Sequence, residues 1–221
     1  MGQSFSSSSA GSDCTHDITT TSVPIVAQNA LLNAFCSDSC IIESKTMSLS
    51  NGFINYIEVV SKYKAIQKGS NTGASTDSDT MLPPKRDPNE KVLVLTHGFG
   101  SGIGFFYPNF TQLATIYDCV IAFDWLGMGS SCRTPARGTP IKGWLNSQAM
   151  TPTKASDFFV DSLEEFRQEL GLDSFVLAGH SLGGYLAGRY AYKYPLSIKG
   201  LVLISPAGIP PLPPAETHVK V

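Results

Sequence analysis

From Lys91 onward the chain alternates short apolar runs with segments of helical period. Lys91–Leu95, Cys119–Phe123, Ser174–Ala178 and Gly200–Ser205 are strand-length and nearly continuously apolar, as strands buried on both faces are. Between them, Thr151-Pro152 reads as an N-cap followed by proline in the first turn. The helix it opens turns Phe158, Phe159, Phe166 and Leu170 inward and ends at Gly171. Leu186, Ala187, Tyr190 and Ala191 mark the buried face of another helix, which stops before Pro195. Strand, helix, strand, helix predicts a mostly parallel sheet with helices on both faces, an α/β fold.

Upstream the pattern changes. Ala27, Ala30, Leu31, Ala34 and Phe35 fall on one face of a short amphipathic helix expected to pack on the core. Thr46–Ser50 and Phe53–Val60 read as strands joined through Asn51-Gly52, a pair favoured in tight hairpins. Residues 67–89 are rich in Gly, Ser, Thr, Asp and Pro and read as a polar surface loop. Residues 1–24 hold eleven Ser or Thr and no Lys or Arg, the composition of a disordered tail.

The chemistry concentrates where Ser174–Ala178 meets the next helix, at Gly179-His180-Ser181-Leu182-Gly183. Small residues two before and two after a serine, between a strand and a helix, make a nucleophile elbow: the turn closes tightly and the hydroxyl stays exposed. The oxyanion hole of such a site needs two backbone N–H groups. Leu182 supplies one, and Phe99, in the turn His97-Gly98-Phe99-Gly100 after the first apolar strand, supplies the other. Two motifs on two buried strands in this order predict an α/β-hydrolase core with Ser181 as nucleophile.

The other polar residues nearby read as supports. His97 organises the oxyanion turn, and His180 packs or makes a hydrogen bond beside the nucleophile without taking its proton. Asp124 precedes Ser181 in the chain, whereas the acid and histidine of this fold follow the nucleophile, so Asp124 is expected to satisfy backbone donors in its own turn. Trp125, Phe105 and Phe106 read as either pocket lining or ordinary core, with Trp125 leaning to the pocket. His218, beside Glu216 in a proline-rich tail, is close enough along the chain to reach Ser181 but lacks a packed shell to hold it. The chain thus carries the nucleophile half of a triad. The expected organisation is a tail over 1–24, a partial hydrolase core over 25–210 and the start of a missing cap region over 211–221.

Composition narrows the partners. Sixteen Lys and Arg against eighteen Asp and Glu leave a net charge of -2 with no basic block, which disfavours nucleic acid. The five cysteines are odd in number, and Cys36 and Cys40 lack the second pair a zinc site needs, so neither metal nor cofactor is expected and the thiols point to a reducing compartment. The polar amino terminus fits neither a secretory nor a mitochondrial leader, and no apolar run has spanning length. Met1-Gly2-Gln3-Ser4-Phe5-Ser6 matches the pattern for myristoylation of Gly2. A single acyl chain binds membrane marginally, which makes Cys14 the expected palmitoylation site. The expected address is cytoplasmic, with peripheral attachment to a membrane or lipid droplet.

Residues 91–210 resemble the α/β-hydrolase subfamily that includes the lipid-droplet lipase co-activator, an N-acyl-phospholipid lysophospholipase and the mitochondrial cardiolipin deacylase. The resemblance is carried by four motifs: His97-Gly98-Phe99-Gly100-Ser101-Gly102, Phe123-Asp124-Trp125-Leu126-Gly127-Met128-Gly129-Ser130, Gly179–Ala187 and Ser205-Pro206-Ala207-Gly208-Ile209-Pro210. It implies a lipid acyl ester as substrate and leaves deacylation, acyl transfer and non-catalytic co-activation open. Ser181 stands where the co-activator branch has asparagine, which favours the enzymatic branch. None of the four histidines has Asp five residues later, so the subfamily's H-x-x-x-x-D element is absent from this sequence.

Overall fold

The computed structural model describes residues 23–36, 38–69, 86–133 and 151–208. Their strands form one six-stranded sheet in the order β1-β2-β4-β3-β5-β6. The strands are β1 (Cys40–Leu49), β2 (Gly52–Ser61), β3 (Val92–Thr96), β4 (Cys119–Phe123), β5 (Phe175–His180) and β6 (Ile198–Ile204). β3 pairs in parallel with β4 and β5, and β5 with β6, whereas β1 and β2 form an antiparallel hairpin and β2 lies antiparallel to β4. The four predicted strands are present to within two residues at each end.

Because successive strand side chains point to opposite faces, the apolar runs feed two cores. Val92, Val94, Ile121, Phe123, Phe175 and Leu177 pack on one face beneath α4 (Pro152–Glu169) and α5 (Leu182–Lys193). Leu93, Leu95, Val120, Ala122 and Ala178 pack on the other, against α1 (Val23–Cys36) and α3 (Phe110–Ile116). A short α2 (Lys62–Gly69) follows β2.

α4 begins as the sequence predicts: Thr151 Oγ1 accepts from Lys154 N, Pro152 occupies the first turn, and Gly171 takes the left-handed conformation beyond the last turn. Phe166 and Leu170 are buried, whereas Phe158 and Phe159 are only partly so. Asp157, Asp161 and Glu164 on α4 meet Arg189, Lys193 and the Tyr190 hydroxyl on α5, which fixes the helix that carries the nucleophile elbow.

Four expectations change. The buried stripe of α1 is Ile25, Leu32 and Cys36; Ala27, Ala30, Ala34 and Phe35 face outward, Phe35 being 60% exposed. The alanines were weighted as core formers, yet the larger Ile25 and Leu32 gain more from burial. In the hairpin, Leu49 pairs with Gly52, so the turn residues are Ser50 and Asn51 rather than Asn51-Gly52. Gly52, at φ +132, opens β2 instead, where a Cβ would come within 2.9 Å of Cys132 Cβ. β1 also starts six residues earlier than expected, because only its ends are fully buried and its middle shows no clean alternation. Finally, residues 67–69, assigned to the polar loop, close α2; 70–85 lie outside the described residues.

Candidate active site

Ser181 sits between β5 and α5 with φ 55 and ψ -117, a conformation an L-residue holds only when its surroundings impose it, at a cost of about 1–3 kcal/mol. Three glycines allow it. A Cβ on Gly179 would lie 2.4 Å from the Gly183 carbonyl oxygen; one on Gly183 would lie 2.4 Å from that of Thr96; one on Gly184 would lie 2.8 Å from that of Gly179. Ser181 N donates to Ile204 O at 3.1 Å, and Ala207 N and Tyr185 N donate to Ser181 O. The segment Ser205–Gly208 therefore wraps the elbow, which gives the fourth motif its physical role; Ile209 and Pro210 lie outside the described residues. Ser181 occupies the N-cap of α5 without a side-chain capping bond, so its hydroxyl is not spent on the helix. Leu182, the first residue of α5, has one of the amide N–H groups that a helix start leaves without intrahelical partners.

The turn after β3 lies directly against Ser181. A Cβ on Gly98 would stand 3.0 Å from Ser181 Cβ and 3.4 Å from Ser181 Oγ. Ser101 N donates to Gly98 O, closing the turn through Gly100, which has φ +68. Phe99 is 82% exposed, and its backbone follows Gly98 beside Ser181.

Behind this turn lies a buried polar network. Asp124 Oδ1 accepts from Ile103 N at 2.9 Å, and Oδ2 accepts from Asn55 Nδ2 at 2.8 Å and from Ser130 N at 2.9 Å. One carboxylate thereby ties β2, the oxyanion loop and the loop after β4 together. A Cβ on Gly129 would fall 2.3 Å from that carboxylate, which explains the glycine, at φ +52. His97 is fully buried; its Nε2 accepts from Trp125 N at 3.2 Å, so the ring proton is on Nδ1, which donates to Gly98 O at 2.8 Å. Burial pushes the His97 pKa below the ordinary imidazole value, partly opposed by the Gly98 hydrogen bond and the Asp124 carboxylate. Although His97 Nε2 lies 3.6 Å from Asp124 Oδ1, the ring is neutral and the two do not form an ion pair. Neither His97 nitrogen is free to serve Ser181.

Trp125 is corrected. It is fully buried, donates Nε1–H to His97 O and stacks edge-on against Phe123 and Phe159, so it belongs to the core rather than to a pocket wall. Phe106 is core as well; Phe105 is 53% exposed and stacks on His180 at 4.7 Å. Asn55 and Ser131 were missed. Both are buried, Asn55 bridging Asp124 and Ser131 donating to the Asp124 carbonyl. The signal for Asn55 was present, a polar residue inside the apolar run Phe53–Val60. Gly2, Cys14, Glu216 and His218 lie outside the described residues. Among the described residues no helix is long and apolar enough to cross a membrane.

Known proteins share this fold. The family model described as alpha/beta hydrolase fold matches residues 91–220. The chain is similar to the human "1-acylglycerol-3-phosphate O-acyltransferase ABHD5", with 42% identity over 125 residues, covering 57% of this chain and 32% of the relative. It is similar also to the bovine "(Lyso)-N-acylphosphatidylethanolamine lipase", with 38% identity over 141 residues, covering 64% of this chain and 37% of the relative. The chain thus spans about a third of the length of these curated relatives. Among solved structures, carboxylesterase CesB from Bacillus subtilis superposes with a TM-score of 0.55 at 21% identity, over 83% of this chain and 49% of that one, a likeness of fold. The subfamily resemblance carried by the four motifs is borne out.

Proposed function

We propose that this chain, which belongs to the alpha/beta hydrolase family, acts in lipid metabolism on fatty acyl esters of phospholipid or lysophospholipid type through Ser181. The observation that carries this reading is the elbow. A serine in a strained conformation, with its hydroxyl uncommitted to capping, lies against a glycine turn that can offer Phe99 N–H opposite Leu182 N–H. In the chemistry this supports, Ser181 Oγ adds to the ester carbonyl carbon, the two N–H groups stabilise the oxyanion, and the alcohol departs with a proton. The acyl group left on Oγ then passes to water, giving a fatty acid, or to a second hydroxyl, giving a new ester. Relatives named as an acyltransferase and as a lipase make both outcomes reasonable for this site.

Among the described residues, none accepts a hydrogen bond from Ser181 Oγ, and a serine without a base is a weak nucleophile. That observation favours, as the second reading, a non-catalytic protein that binds lipid or a lipase in the same crevice. Incubating the chain with vesicles of acyl-labelled lysophospholipid separates the two. The first reading expects slow formation of free fatty acid or acylated product that disappears in Ser181→Ala. Product that persists in Ser181→Ala refutes it. Vesicle-derived lipid retained by the protein without any acyl chemistry supports the second.

A further inference from the structure

One buried polar atom beside Ser181, Nδ1 of His180, has no hydrogen-bond partner among the described residues. The ring is held in place: it stacks on Phe105 with centroids 4.7 Å apart and planes inclined by 21°. Nδ1 faces the oxyanion turn, since a Cβ on Gly98 would lie 3.3 Å from it and 3.4 Å from Ser181 Oγ. The orphaned nitrogen and the nucleophile oxygen therefore border the same glycine. A buried nitrogen without a partner destabilises the free protein, and a ligand group that supplies the missing bond recovers that loss. His97 cannot play this part, because both its nitrogens are engaged.

Two neighbours of the His180 ring are defined, the Gly98 backbone beside Nδ1 and the Phe105 ring on its face, and neither carries a formal charge, so a neutral polar group suits the position. A hydroxyl fits whichever tautomer His180 adopts, since it can donate to a bare nitrogen and accept from a protonated one. We propose that His180 is a specificity-determining residue whose Nδ1 binds a free hydroxyl close to the ester group of the ligand. This rests on the Ser181 crevice being the lipid site. Nδ1 is closed to solvent in the free protein, so a ligand hydroxyl reaches it by a small displacement of the groups around the ring.

The test uses the full chain and two probes that cannot be cleaved: a long-chain monoalkyl glycerol ether with its hydroxyls free, and the same ether with both hydroxyls methylated. Equilibrium dialysis is expected to show about five-fold tighter binding of the free-hydroxyl ether, the size of one net hydrogen bond. His180→Asn, which keeps a polar nitrogen near Nδ1, retains the preference; His180→Phe, which keeps the stack on Phe105, loses it. In the unsubstituted chain the resonance of isotope-labelled His180 Nδ1 moves with the free-hydroxyl ether and not with the methylated one, a readout that stands even if His180→Phe fails to fold. Equal binding of the two ethers, binding of neither, or a preference that survives in His180→Phe overturns the proposal. Phosphonate labelling of Ser181 reports separately on the ester chemistry. Hydroxyl preference without labelling removes the esterase reading and leaves His180; labelling without preference does the reverse.

Discussion

On the β4 side of Ser181, Asp124 and His97 are buried and each uses both of its polar side-chain atoms, so strand β2 and two loops are tied to one carboxylate and one imidazole. On the β6 side the elbow rests on an edge strand whose Leu201, Val202, Leu203 and Ile204 are 38%, 45%, 39% and 42% exposed. These four alternate across the sheet, so both faces of β6 are partly exposed, and among the described residues β6 pairs only with β5. The same serine is thus held by a saturated polar network on one side and by an apolar margin on the other. The difference separates placing a hydroxyl from activating it: the saturated side shapes the turn after β3, and neither Asp124 nor His97 has an atom left over to accept the serine proton.

The sharpest way to break that contrast is Asp124→Ala. It leaves Ile103 N–H, Ser130 N–H and Asn55 Nδ2 without their acceptor in the interior, and a loss of about 3–5 kcal/mol in unfolding free energy is expected from urea titration. A loss below about 1 kcal/mol would mean that the network does not hold the loops.

A pH series probes the same side through His97. Its folded pKa is depressed, so below the unfolded value of about 6.5 the unfolded chain binds a proton that the folded chain refuses. Stability should therefore fall as the pH drops through about 6.5 toward the folded value, with a slope approaching about 1.4 kcal/mol per unit, and His97 should add no slope above that range. In His97→Gln, which is less stable throughout, this part of the slope should vanish; an unchanged profile would contradict the buried neutral ring.

The smallest effect is expected on the other side. Leu203→Lys places a charge where the side chain is already 39% exposed, and should change stability by about 0.5 kcal/mol or less while reducing self-association, since apolar sheet edges template it. A large destabilisation would show that β6 is packed more tightly than its exposure implies.

How much of this was legible in the sequence follows the same division. The four apolar strands, the Thr151-Pro152 start of α4 and the elbow itself were readable, because each depends on a local pattern or on glycines that only backbone contacts explain. The α1 stripe and the hairpin register were misread, since alanine spacing and the Asn51-Gly52 pair are weak against the burial of Ile25 and Leu32 and the approach of Cys132 to Gly52. At the site, His97 and Asp124 are engaged by the backbone around them: His97 by Gly98 and Trp125, Asp124 by Ile103 and Ser130. Asn55 and the stack of Phe105 on His180 come from distant parts of the chain, and no short motif encodes such a contact.

The central claim is that Ser181 is placed as a nucleophile but has no activating partner among the described residues. A fluorophosphonate time course across pH, read by intact mass and peptide mapping, tests it most directly. The account predicts a single adduct on Ser181, absent in Ser181→Ala, forming slowly and rising about tenfold per pH unit without a plateau near neutrality, as for a hydroxyl ionised only by solvent. Rapid labelling with a plateau near the imidazole range, abolished by His218→Ala, would contradict it by showing that a base outside the described residues completes the site.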